Sequence, residues 1–248
     1  MTYCVGMLVE AGLVMIADTR TNAGVDDISI YRKLHTLADS PDHLVFAATA
    51  GNLSATQMVL AQLAEGLSAC DHGDPPRRIT DMTSMFRVAQ LVGEAVAQSR
   101  VCLGQTLEGA SVDASVSMLL GGRVGDGPLT LYRLYSEGNF IECQREQPFL
   151  QIGETKYGKP ILDRALQHGT PLEEAVKVGL ISFDSTLRSN LAVGRPIDLV
   201  VVPADPDEPL VERRIGVDDL YFNDLSVRWS LMLNEARATI PDPPFMMG

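Results

Sequence analysis

The chain has 248 residues, 46% of them hydrophobic and 21% charged, with a formal net charge of −12 and a pI near 4.7. That is ample apolar material for a buried core in one large domain or two small ones, and it excludes a disordered chain. The acidic balance excludes a nucleic-acid partner, because phosphate binding needs a basic surface. Cys4, Cys70, Cys102 and Cys143 are scattered without CxxC spacing, and the four histidines form no HExxH pattern. No metal or organic cofactor is therefore expected, and sparse cysteines suit a reducing compartment. The start lacks a basic region, Glu10 and Asp18 interrupt its apolar run, and no apolar stretch reaches the length of a membrane span. A cytoplasmic protein without membrane contact is expected.

Residues 2–9 (TYCVGMLV) and 13–18 (LVMIAD) are branched and apolar around EAG, which predicts a hairpin. Residues 31–37 and 44–50 predict a second, joined by ADSPDH. Both faces of these strands are largely apolar, so the sheet should be covered on each side. Helices are predicted over 52–69, with Asn52 as N-cap, and over 79–100. Strands follow over 112–121, 129–136 and 139–143, with GGRVGDGP as a hairpin loop. Helices are predicted over 154–168 and 171–189, the second opened by Thr170 as cap and Pro171 at its first position. Strands over 196–203 and 210–216 and a helix over 218–238 complete the order, and the Pro-broken tail IPDPPFMMG is expected to be loose or docked on a neighbour. Strand hairpins alternating with helix pairs predict an α+β fold, a four-layer αββα sandwich of two stacked antiparallel sheets forming a single domain over 1–248.

The hairpins bring chemistry together. With its turn near residue 11, the first puts Thr2 and Asp18 at the same end of the ribbon. With a turn near residue 40, the second puts Lys33 and Gly51 at its own end. If the two hairpins share a sheet with their turns at the far end, all four residues converge. A threonine hydroxyl needs a base to attack a carbonyl, and a free α-amine, with an ordinary pKa of about 7.7–8.0, is the backbone group suited to that near neutrality. A lysine ammonium beside it favours the neutral amine, and Asp18 would hold Lys33 in place. The Gly51 N–H precedes a predicted helix, whose positive end favours a developing oxyanion. Taken singly, each residue has a plainer role as turn former, edge charge or strand-to-helix corner.

Thr2, ADTR at 17–20, Lys33 and Ala50-Gly51 together resemble the N-terminal third of proteasomal β-subunits and of their bacterial relative HslV. The wording MTYCVGMLVEAGLVMIADTRTNAGVDDIS is most similar to Anbu, the ancestral bacterial β-subunit family. The resemblance implies an N-terminal-nucleophile hydrolase fold. It implies removal of Met1 to expose Thr2, with Thr2 as nucleophile and, through its amine, as base. Asp18 and Lys33 would be the supporting pair and Gly51 the oxyanion glycine. It further implies rings or open helical assemblies of identical subunits acting on peptide or amide substrates, and leaves an unfolding ATPase as an open partner. Where many β-subunits carry Gly-Ser-Gly, this chain reads QIGETKYG, with Glu154 or Thr155 in that neighbourhood. Where they carry Asp-x-x-Ser-Gly-Gly, it reads FDSTLRSNLAVGRPID. Asp184 matches the aspartate, Ser185 and Ser189 compete for the serine, and the glycine pair is gone. By position, Thr21, Tyr31, His35, Thr49 and Leu53 would line a specificity pocket. A threonine peptidase is the leading expectation, with a self-assembling scaffold of little turnover and a small-amide hydrolase as alternatives. Cys4 shares the parity of Thr2 but has no free amine, which argues against it as the nucleophile.

Overall fold

A computed structural model describes residues 1–22, 28–68, 75–106 and 114–246. Cys70, the opening of the strand expected over 112–121 and the last residue of the helix expected over 52–69 lie outside them. The chain begins with β1 (Tyr3–Val9), β2 (Gly12–Asp18), the short pair β3 (Arg20–Asn22) and β4 (Ile28–Ile30), then β5 (Leu34–Ser40) and β6 (His43–Gly51). Helices α1 (Leu53–Glu65) and α2 (Met85–Thr106) follow, then β7 (Val116–Val124), β8 (Thr130–Leu134), β9 (Phe140–Glu142) and β10 (Phe149–Gly153). Last come α3 (Lys159–Ala165), α4 (Leu172–Ser189), β11 (Ile197–Pro203), β12 (Val211–Ile215) and α5 (Leu220–Thr239).

Two five-stranded antiparallel sheets result, in the orders β10-β1-β2-β11-β12 and β5-β6-β7-β8-β9. Strand parity sorts their side chains into layers, because successive residues point to opposite faces. Val5, Met7, Val14, Ile16, Leu199 and Val201 turn outward to meet Leu162, Val178 and Phe183 of α3 and α4. Leu13, Met15, Ala17 and Val200 turn inward and meet Phe46, Ala48, Leu119 and Leu131 of the other sheet. The outer face of that second sheet, through Val45, Ala47, Met118 and Leu120, packs on Val59, Leu63, Val88 and Val92 of α1 and α2. The layers are α-β-β-α, as expected, and every residue of β2 and β11 is buried. At about 1.5–3 kcal/mol for each large apolar side chain removed from water, these three layers supply most of the drive to fold.

Several details depart from expectation. The first and second hairpins occupy different sheets, so their ends meet across the inter-sheet layer and not within one ladder. Residues 122–124, expected in a loop, extend β7, because Gly122, Arg123 and Val124 pair with Val45, Leu44 and His43 of β6. Strand β10 was not anticipated, yet it pairs with the free edge of β1 from Tyr3↔Gly153 to Met7↔Phe149. Thr170 turns its hydroxyl back to accept from the Gln167 N–H at 2.9 Å, so α4 starts behind Pro171 without a side-chain cap. Asn52 does cap α1, its Oδ1 accepting from the Ala55 N–H at 3.1 Å. Among the described residues no helix is long and apolar enough to cross a membrane.

Candidate active site

The chain start is pinned from two sides. Thr2 O accepts from the Glu154 N–H at 2.6 Å, at the end of the β1–β10 ladder. The Tyr3 N–H donates to Asp18 Oδ1 at 3.0 Å, where β2 ends. Thr2 itself is only 9% exposed. The residue just ahead of β1 therefore has its backbone position set from both neighbouring strands, while Met1 stands exposed.

Asp18 is the hub. Its fully buried carboxylate accepts from Lys33 Nζ at 2.8 Å and from the backbone N–H groups of Tyr3 at 3.0 Å, Arg20 at 3.1 Å and Gly194 at 3.3 Å. Burial pushes the Asp18 carboxyl above its ordinary value, while the Lys33 charge and hydrogen bond and the N–H groups of Tyr3 and Gly194 pull it back. The anion is thus sustained by its donors, as a buried charge must be. Lys33 is 6% exposed and commits a second N–H to Arg20 O at 2.6 Å. Its own carbonyl accepts from the Thr49 N–H at 2.9 Å, which docks the start of β5 on β6.

Gly51 closes β6 at φ +113°, a backbone conformation that a side chain rarely adopts. A Cβ there would also meet Ser115 O at 2.2 Å. The glycine lets the strand turn directly into α1, bringing the helix N-terminus and its positive dipole end to the site. A cleft of about 500 Å³ opens here, and Thr2, Lys33, Gly51 and the first residues of α1 line it.

Thr2, Asp18, Lys33 and Gly51 are therefore brought together. Of the expected pocket residues, Thr21, Thr49 and Leu53 line the cleft, whereas Tyr31 and His35 do not. Tyr31 is exposed, with its N–H on Thr19 O. His35 lies half-buried on β5 opposite Ala47, and burial followed by the Arg32 charge lowers its pKa against the opposing pull of Asp198. Glu154 reaches Thr2 through its backbone, but its carboxylate turns away, accepting from Asn190 Nδ2 at 3.1 Å. Asp184 is buried in the outer helix layer, where Ser226 Oγ of α5 donates to it at 2.6 Å and Arg188 Nε at 3.1 Å. Ser185 is half-buried and Ser189 exposed on the same helix, and neither lines the cleft. Sequence reasoning missed Gly194 and the Arg20 backbone as partners of Asp18 and Lys33. The signal available for Gly194 was its place in VGRPID, directly ahead of a strand that pairs with β2. Among the described residues no cluster of His, Cys, Asp and Glu could hold a metal ion.

No protein-family model and no curated protein matches the chain. Solved structures do. It is 42% identical to an Anbu (Gly-1) mutant from Hyphomicrobium sp. strain MC1, over 98% of this chain and 99% of that one, with a TM-score of 0.88. It is 38% identical to Anbu (ancestral beta-subunit) from Yersinia bercovieri, over 97% and 98%, with a TM-score of 0.87. A structure described as the helical assembly of the Anbu complex from Pseudomonas aeruginosa is 39% identical over 99% and 100%, again at 0.88. Identity of 38–42% across nearly the whole of both chains, on one αββα framework, makes this chain a member of the Anbu family of ancestral β-subunits.

Proposed function

We propose that the chain is an N-terminal threonine hydrolase that cleaves peptide or related amide bonds once Met1 is removed. One observation carries the reading: Lys33 Nζ, held at 2.8 Å by Asp18 and 2.6 Å by Arg20 O, lines the same cleft as Thr2. With Met1 gone, the Thr2 amine is free. Its pKa, ordinarily about 7.7–8.0, is lowered by the nearby ammonium, so the neutral, proton-accepting form prevails near neutrality. Thr2 Oγ1 then attacks the amide carbon as its proton passes to that amine. The carbonyl oxygen takes the negative charge, stabilised by the Gly51 N–H at the positive end of α1. Collapse breaks the C–N bond, and the departing amine takes the proton, leaving an ester on Thr2. Water, activated by the same amine, hydrolyses the ester and restores the hydroxyl. Neither metal nor organic cofactor enters this scheme.

The test is an electrophilic threonine-directed inhibitor followed by intact-mass analysis of processed protein. One adduct on Thr2, absent in Thr2→Ala, is expected; no adduct on fully processed wild type would remove the reading. An amide library then separates a peptidase from a hydrolase of small amides.

We infer further that the chain assembles with copies of itself. Helix α5 buries only Phe222 and Leu225 among its twenty residues, while Leu231, Met232 and Leu233 face outward. The helical assembly described for the Pseudomonas aeruginosa relative supports this. The same feature favours a second reading, a self-assembling shell with little turnover. Amide hydrolysis by wild type and Thr2→Ala, compared at equal assembly, decides between them, since equal rates would leave only the shell.

A further inference from the structure

The segment after α4 returns to the site by a route that the proposed reaction does not use. Asn190, which ends α4, donates through Nδ2 to Glu154 Oε2 at 3.1 Å. Its Oδ1 accepts from the Ala192 N–H at 2.9 Å, bending the chain into a tight loop. Two residues later the Gly194 N–H reaches Asp18 Oδ2 at 3.3 Å. Glu154 also donates its N–H to Thr2 O at 2.6 Å, and Asp18 accepts from the Tyr3 N–H at 3.0 Å. The bonds close a circuit from the chain start, through Glu154, Asn190 and Gly194, back to Asp18.

Two further contacts hold the loop to the same end of the sandwich. Arg20 Nη1 donates to Leu191 O at 2.7 Å, and Thr19 Oγ1 donates to Pro196 O at 2.7 Å. The Arg20 side chain crosses so close that a Cβ on residue 194 would lie 2.3 Å from Nε, so a larger residue there would displace Arg20 from the loop. Glu154 is 6% exposed, and its carboxylate is met by neutral donors, the Asn190 amide and, at 3.4 Å, the Lys156 N–H. A carboxylate kept dry without a cation is costly unless its hydrogen bonds hold something in place.

We propose that Glu154 and Asn190 form a positioning clasp: their hydrogen bond holds the Leu191–Gly194 loop so that the Gly194 N–H stays on Asp18, keeping that carboxylate ionised and Lys33 fixed beside Thr2. The effect on rate rests on the reading of Thr2 as nucleophile, whereas the effect on Asp18 does not. Burial already drives the Asp18 carboxyl upward, so each lost donor moves its titration further in that direction. The groups facing Asp18 are the Lys33 ammonium ahead of β5, the Arg20 N–H behind β2, and the Cys4 thiol of β1, which burial and Asp18 hold protonated. Lys33 is thus the cation already committed to Asp18, and the Gly194 N–H is the donor that the loop can withdraw.

The experiment follows Asp18 directly, by NMR titration of carboxyl-labelled aspartate assigned with Asp18→Asn, in Glu154→Ala, Asn190→Ala and Glu154→Gln. Glu154→Gln retains an oxygen for the Asn190 amide and so serves as the rescue. Both alanine variants should raise the Asp18 midpoint by about one pH unit and slow Thr2 adduct formation near neutrality about tenfold, while Glu154→Gln keeps the wild-type midpoint. Unmoved midpoints in the alanine variants overturn the clasp. So does a Glu154→Gln midpoint displaced as far as that of Glu154→Ala, which would assign the effect to charge. If one alanine variant fails to fold, the other carries the comparison. A processed wild type that forms no adduct, with midpoints moving as stated, removes the nucleophile reading and leaves the clasp standing.

Discussion

Asp18 and Asp184 are both buried carboxylates, both expected near the site from the sequence resemblance, and they sit in different chemistry. Asp18, at a strand end, gathers one cation and three backbone N–H groups from four separate segments of the chain. Asp184, mid-helix, gathers side chains alone: Arg188 one turn along and Ser226 of the packed α5. The Tyr3 and Arg20 donors are built into strands and cannot swing away, and only the Gly194 donor comes from a loop, so the Asp18 cluster is held nearly to one geometry. The Asp184 cluster fastens one helix to another, and its Arg188 remains half in water. The resemblance assigned both aspartates to one site; what surrounds each separates the hub beside Thr2 from a tie between helices.

The largest effect expected is that of Thr2→Ala, which removes the proposed nucleophile beside the Asp18 cluster and should lower amide hydrolysis at least about 10⁴-fold in a steady-state assay at matched assembly. Next comes Asp18→Asn. It strips the counter-charge from a buried lysine, so a loss of about 3–5 kcal/mol in denaturant unfolding should accompany a fall of about 10²-fold or more in hydrolysis. Asp184→Asn sharpens the contrast. It should cost about 1–2 kcal/mol in unfolding and leave the rate near wild type, and a rate loss matching that of Asp18→Asn would erase the distinction. The smallest effect belongs to the cleft wall. Thr49→Phe should change preference among amide substrates about tenfold with the fold intact, and an unchanged preference would take Thr49 out of the substrate pocket.

The part of the site legible in the sequence was the part built by hairpins. Counting outward from each turn puts Thr2 beside Asp18 and Lys33 near the end of β6, and strand parity carries that information without an alignment. What could not be read is what depends on packing between distant segments. Whether the two hairpins lie in one sheet or two changes no residue count, so their division between the stacked sheets was not legible, although the stacked layers themselves were. Strand β10 escaped because Gln151 breaks its apolar run, and that amide is buried only because it donates to the Tyr3 hydroxyl at 2.7 Å. Gly194 and Asn190 sit in a loop whose meaning comes from partners over thirty residues away in sequence. The short pair β3–β4, three residues to a strand, carries too little apolar pattern to announce itself.

Helix α5 adds a consequence of another kind. A solitary helix of this composition is marginal in water, and its buried side chains Phe222 and Leu225 and its polar ties through Asn223 and Ser226 all lie in the first two turns, leaving the later turns unanchored. In the proposed assembly its last turns would owe their persistence to mass action between neighbours. Far-UV ellipticity should fall as the protein is diluted, before any inner strand lets go, and polar substitution of Leu231 and Met232 should reproduce that fall without dilution.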